Sequence, residues 1–166
     1  MDTLDTESLF TTSSLEIVEM LKASEIPNKN DIDNILLKKI KDRIGDKCIQ
    51  NGFIKKNSIN IISRTIGIIK SEHFNGTIHY NVKIGVDLCS PSINSIVKAK
   101  VFGINQAGIL CINEPLHIML SPETQDNVDI YQDIKKGDII TIKIIRFKIM
   151  LNNSHIRILG KYIDKN

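Results

Sequence analysis

Tryptophan is absent from this chain, and aromatic residues make up only 5% of its 166 positions. A surface that grips ligands mainly by ring stacking is therefore poorly supplied. Neither a GxxxxGK[ST] nor a GxGxxG run occurs, so both phosphate-cradling glycine loops are missing. There is no CxxC pair either. Cys48, Cys89 and Cys111 stand far apart, which speaks against paired zinc ligands and, with an odd count, against a disulfide framework. His73, His79, His117 and His155 fall in no motif with Cys, Asp or Glu. No catalytic constellation, metal site, cofactor or small-molecule substrate is expected. The N terminus carries no apolar stretch of signal-peptide type, and no apolar run is long enough to cross a bilayer. These absences lead us to expect a soluble, intracellular, non-enzymatic protein with no membrane partner, working in a reducing compartment.

What is present is enough for a core. Hydrophobic residues reach 42%, with Ile, Lys and Asn recurring throughout in the manner of an AT-rich genome. The net charge is +3 and the pI about 8.7. A dedicated nucleic-acid binder often exceeds a pI of about 9, so any such role rests on local placement of the cations.

Leu9 to Leu21 holds clustered apolar residues that suit a strand or a short helix. Asp31 to Ile44 is expected to be helical. Asn30 or Asp31 can cap it, Ile32, Ile35, Leu36, Ile40 and Ile44 share one face, and Gly45 stands where a left-handed C-terminal residue is wanted. Strand-like runs follow over Cys48 to Phe53 and Ser58 to Lys70. Asn75-Gly76 signals a hairpin turn, and Thr77 to Val86 alternates with Ile78, Tyr80, Val82 and Ile84 on one face. Five more strands are expected at Ser95 to Ile104, Gly108 to Ile112, Leu116 to Leu120, Ile139 to Phe147 and His155 to Ile163. The polar stretch Ser121 to Tyr131 lies between the third and fourth, and Gly137-Asp138 introduces the fourth. Five short strands with a long third connection fit an OB-type barrel. The expected fold is therefore α+β: a helix on a small antiparallel sheet over residues 1–86, then a five-stranded barrel over 87–166.

Three stretches in order carry a resemblance. They are Ile35-Leu36-Leu37-Lys38-Lys39-Ile40 running to Gly45-Asp46-Lys47-Cys48, then Gly52-Phe53-Ile54, then Asp87 to Met119 with Ser90-Pro91, Asn105-Gln106-Ala107-Gly108-Ile109-Leu110 and Pro115-Leu116. Together they resemble the stalk subunit of DNA-directed RNA polymerase, the seventh subunit of the eukaryotic enzymes and its archaeal counterpart. The Ile/Lys/Asn bias is similar to versions encoded by large DNA viruses. The resemblance implies an N-terminal tip domain that docks to the polymerase core, an S-one-type OB barrel that contacts nascent RNA or factors, and a helical companion subunit. It implies no catalysis by this subunit. It also implies a cytoplasmic virus factory and virion for a viral source, or a nucleus for a cellular one. Two departures stand out. Ile109 and Leu110 occupy positions where cellular members carry aromatics, and Asn94 stands near where a glycine is expected.

The expected RNA contacts are Lys98, Lys100, His117, Lys143, Arg146, Lys148 and Arg157, cationic or ring-bearing positions of the barrel strands. Binding through them should be weak, non-specific and salt-dependent. The expected core-docking positions are Lys47, Asn51, Gly52 and Phe53. There Phe53 serves either as an exposed plug or as packing under the helix. A free-standing single-stranded RNA-binding factor and a structural protein are the alternative readings.

Overall fold

The computed structural model of the protein describes residues 6–69, 76–125 and 133–165. Its elements are β1 (Thr11–Lys22), α1 (Ile32–Ile44), β2 (Lys47–Ile49), β3 (Gly52–Ile54), β4 (Asn60–Arg64), β5 (Ile68–Ile69), β6 (Thr77–Cys89), β7 (Ile96–Asn105), β8 (Gly108–Asn113), β9 (Leu116–Leu120), β10 (Ile139–Lys148) and β11 (Ile156–Lys165). They fall into two compact units. One comprises residues 12–46 and 54–88; the other comprises 1–11, 47–53 and 89–166. The Lys47–Phe53 segment thus groups with the barrel. The reason is a pair of backbone hydrogen bonds: Cys48 N donates to Asn153 O at 2.7 Å and Asn152 N to Cys48 O at 2.9 Å.

In the first unit β6 is the central strand, paired with β1, β4 and β5. Its alternation buries Tyr80, Val82 and Ile84 as the sequence pattern requires. Leu9 to Leu21 resolves as strand rather than helix, after a single 3₁₀ turn at Glu7–Leu9. The strand-like run expected over Ser58 to Lys70 forms two strands, β4 and β5, and residue 70 lies outside the described residues. Between the two strands Gly67 passes so close to Tyr80 that a Cβ would lie 2.8 Å from its ring carbons. Residue 75 of the expected hairpin turn lies outside the described residues; Gly76 has a left-handed φ of 66°.

Helix α1 buries Leu36 and Ile40 completely, while Ile32, Ile35 and Ile44 are half-buried. Two end signals differ from expectation. Neither Asn30 nor Asp31 caps α1 with its side chain; instead Asn28 accepts from Asn30 N at 3.2 Å in a preceding 3₁₀ turn. Gly45 is extended (φ −68°, ψ 137°), and Asp46 takes the left-handed conformation (φ 52°). Glycine is needed at 45 for closeness, since a Cβ would sit 2.4 Å from Lys41 O and 2.6 Å from Lys56 Cγ. The polar side of α1 is also engaged. Arg43 pairs with Glu19 at 2.8 Å, giving a partner to the carboxylate that β1 buries to 6% exposure.

The second unit is a closed barrel of strand order β10-β11-β9-β8-β7, with β10 and β7 also paired. Every pairing is antiparallel except β9 with β11, which is parallel. Numbered from β7, this is the 1-2-3-5-4-1 closure of an OB-type barrel. The core holds Ala99, Val101, Ile109, Cys111, Ile118 and Ile142, among others, with Cys48, Phe53 and Cys89. Cys89 and Cys111 are buried free thiols, and burial pushes both up to about 12. Asn94 has a φ of 68°, so the position where the resemblance expects glycine keeps a left-handed backbone. Asparagine is the residue that best tolerates this in glycine's place.

Candidate nucleic-acid interface

Alternation along the barrel strands decides which side chains face out. On β7 the inward residues are Ala99 and Val101, which leaves Lys98, Lys100 and Phe102 exposed. On β10 the inward residues are Ile140, Ile142 and Ile144, leaving Lys143 outside. A register shift between Ile144 and Arg146 then resets the alternation. Without this bulge Arg146 and Lys148 would point into the barrel; with it both are exposed. Arg157 on β11 is exposed and His117 on β9 is half-buried.

The register brings these residues into two neighbourhoods. Lys148 lies directly opposite Arg157, and Arg157 directly opposite His117. Those three side chains form one contiguous row across β10, β11 and β9. Lys143 lies opposite Lys161, a cation that sequence reading passed over. Lys98 faces Thr141 and Lys100 faces Ile139 on the other side of β10. Among the described residues no carboxylate pairs with Lys98, Lys100, Lys143, Arg146, Lys148 or Arg157. Like charges directly opposite one another on a sheet are destabilising. The Lys148–Arg157 pair therefore suits an anion that bridges it.

His117 and His155 extend the row with rings. They stack at 4.1 Å between centroids and 11° between planes, and His117 Nε2 lies 3.5 Å from Glu114 Oε1. The His155 imidazole is held below its usual range, first by desolvation and then by the neighbouring His117 and Arg157, with Glu114 pulling the other way. The folded state thus takes up this proton less readily than the unfolded chain. The stabilisation is complete above the unfolded value of about 6.5 and is lost as pH falls through it toward the folded value. We expect the urea midpoint to fall more steeply below that pH in the wild type than in His155→Gln. Parallel pH profiles would overturn this assignment.

The expected docking residues are placed differently from one another. Phe53 is 8% exposed and packs edge-to-face against Phe10, ring centroids 6.4 Å apart. At that exposure it is not an exposed plug, and the Cys48 hydrogen bonds tie its hairpin to the barrel unit. Gly52 is buried, Lys47 half-buried and Asn51 exposed. Of the two residues standing where aromatics are expected, Ile109 is core and Leu110 half-buried. Among the described aromatics of the barrel strands only Phe102 is exposed, at 57%. Phe147 and Tyr162 pack partly against the core.

Fold and surface together define an α+β protein whose OB-type barrel carries a row of basic side chains, in which Lys148 and Arg157 have no carboxylate partner among the described residues. The chain is similar, at 29% identity over 158 residues, to a protein of Acanthamoeba polyphaga mimivirus named "Putative DNA-directed RNA polymerase subunit L376"; the match covers 86% of this chain and 78% of that one. This agrees with the resemblance drawn from the motifs. No family model matches the chain. Among solved structures it is similar to GSP13 of Bacillus subtilis (16% identity, TM-score 0.37), over 43% of this chain and 55% of that one. It is also similar to the uncharacterized protein MJ1198 of Methanocaldococcus jannaschii (21% identity, TM-score 0.36), over 45% of this chain and 95% of that one.

Proposed function

We propose that this chain is a non-catalytic, stalk-type subunit of a DNA-dependent RNA polymerase. The carrying observation is the similarity to a mimiviral protein named as a polymerase subunit, which extends over 86% of the chain and so is not confined to the barrel. The barrel's exposed Lys148 and Arg157, with the half-buried His117 beside them, support contact with nascent single-stranded RNA, held mainly through phosphates and therefore weak and salt-sensitive. Residues 12–46 and 54–88, with the exposed Asn51 and half-buried Lys47, are the proposed anchorage to the core subunits and to a helical companion. In a viral source its place is the virus factory and virion.

Affinity purification of the tagged chain from its native source tests this reading. The large polymerase subunits should co-purify in stoichiometric amounts. Their absence would overturn the assignment, and RNA capture without them would favour a free-standing RNA-binding factor.

A further inference from the structure

The strand register extends the cationic row beyond His117. His117 lies directly opposite Ile112 on β8, and Ile112 directly opposite Lys100 on β7. Residues directly opposite one another share a face of the sheet. Lys148, Arg157, His117, Ile112 and Lys100 thus form one belt on the outside of the barrel, crossing β10, β11, β9, β8 and β7 in turn. Its four steps between strands, each about 4.8 Å, give a contour of roughly 19 Å.

The belt ends at a cavity. A space of about 650 Å³ opens there, lined among others by Thr6, Lys100, Phe102, Ile112, Glu114 and Lys136. Small ligands occupy pockets of about 300–1,000 Å³. Phe102 follows Lys100 by two residues on β7, so both side chains point outward. The Phe102 ring is 57% exposed, and Lys136 Nζ lies 5.4 Å from its centre. Among the described residues neither Lys100 nor Lys136 has a carboxylate partner. Glu114 is the acidic member of the lining, and its Oε1 lies 3.5 Å from His117 Nε2 on the belt. Two cations at the mouth, and a line of cations leading to it, favour an anionic chain over an apolar peptide as the occupant.

We infer that the Phe102 cavity is a base-stacking subsite, where one unpaired base of a single strand leaves the phosphate track and lies against the ring; the inference rests on the RNA-contact reading above. A base in a single strand has both faces free to stack on an aromatic side chain. Lys100 and Lys136 stand beside the ring to hold the phosphates that flank that base. Stacking uses the π-face that every base has, so the subsite accepts all four.

Fluorescence anisotropy with the full chain tests this. Two probes of equal length and charge are compared at low salt: an oligouridine, and the same ribose–phosphate chain without bases. Wild type should favour the oligouridine. Phe102→Ala should cut that preference about tenfold, the usual worth of one stacked base, with the salt slope unchanged because no phosphate contact is lost. Phe102→Tyr keeps a ring and should keep the preference. Phe102→Leu keeps apolar bulk without a ring and should behave as Phe102→Ala. A circular dichroism melt checks that each variant is folded, as its exposed position leads us to expect. An undiminished preference in Phe102→Ala, or an equal loss for both probes, overturns the subsite and leaves the RNA-contact reading standing. Phe102→Leu equal to wild type also overturns it and makes the cavity an apolar contact. No binding of either probe at low salt overturns both readings.

Discussion

Gly108→Ala should cost the barrel more stability than any comparable exchange of glycine for alanine in it, about 3–5 kcal/mol. Gly108 opens β8 with φ +138°, in a region essentially reserved for glycine. An added Cβ would lie 2.1 Å from Leu120 O and 3.0 Å from Leu120 C. Both are backbone atoms of β9, which is paired with β8, so neither can swing aside. The backbone strain and the collision therefore act together. Gly160 makes an instructive contrast. Its Cβ would meet Ile142 Cγ2 at 2.4 Å and Ile118 Cγ2 at 3.0 Å, side-chain ends inside the core rather than main chain. Gly160→Ala is an overpacking change alone and should cost about 1–3 kcal/mol. Gly103, with nothing within 4 Å of the built Cβ, is the control and should stay within about 0.5 kcal/mol of wild type. Urea unfolding followed by far-ultraviolet circular dichroism ranks the three. A Gly108→Ala midpoint equal to that of Gly103→Ala would show that β8 can move off β9, contrary to the close approach described.

The barrel was the more legible half of the fold. Its five strands announce themselves through alternation such as Val97, Ala99 and Val101, and through turn residues at natural breaks. Helix α1 was equally plain, because its apolar spacing is a local property. What sequence reading missed was long-range. Gly45 looked like a left-handed cap, but it is glycine because Lys41 O and the Lys56 side chain press on it. Lys56 approaches from another part of the chain, and no local pattern shows that. Phe53 looked like a candidate plug until Cys48 hydrogen-bonded to Asn152 and Asn153, more than a hundred positions away.

The candidate interface was legible as a set of outward cations but not as a surface. Strand alternation alone predicts that Lys98, Lys100 and Lys143 face outward. The Arg146 and Lys148 directions depend on a bulge, which breaks the period that sequence reading relies on. Which cations are neighbours depends on register, above all on the parallel β9–β11 pairing that sets Arg157 beside His117.

The triple substitution Arg146→Ala, Lys148→Ala, Arg157→Ala should produce the largest loss of RNA affinity available without touching the core. All three side chains are exposed and none is ion-paired among the described residues, so their removal takes away no internal contact of that kind. It also relieves the like-charge opposition of Lys148 and Arg157, so stability should hold or rise slightly. Binding to single strands scales with salt at a slope of about −0.7 for each phosphate neutralised. Losing three such contacts flattens the slope by about 2. At about 50 mM salt that corresponds to an affinity loss on the order of several hundred-fold, shrinking steadily as salt rises. The salt dependence separates this from a shape effect, which would shift the affinity at all salt concentrations alike. Anisotropy titrations of an oligouridine across a salt series, with a circular dichroism melt of each variant, provide both readouts. An unchanged slope in a folded triple variant would move the RNA-contacting face away from β10 and β11, leaving Lys98 and Lys100 on β7 as the cations to test next.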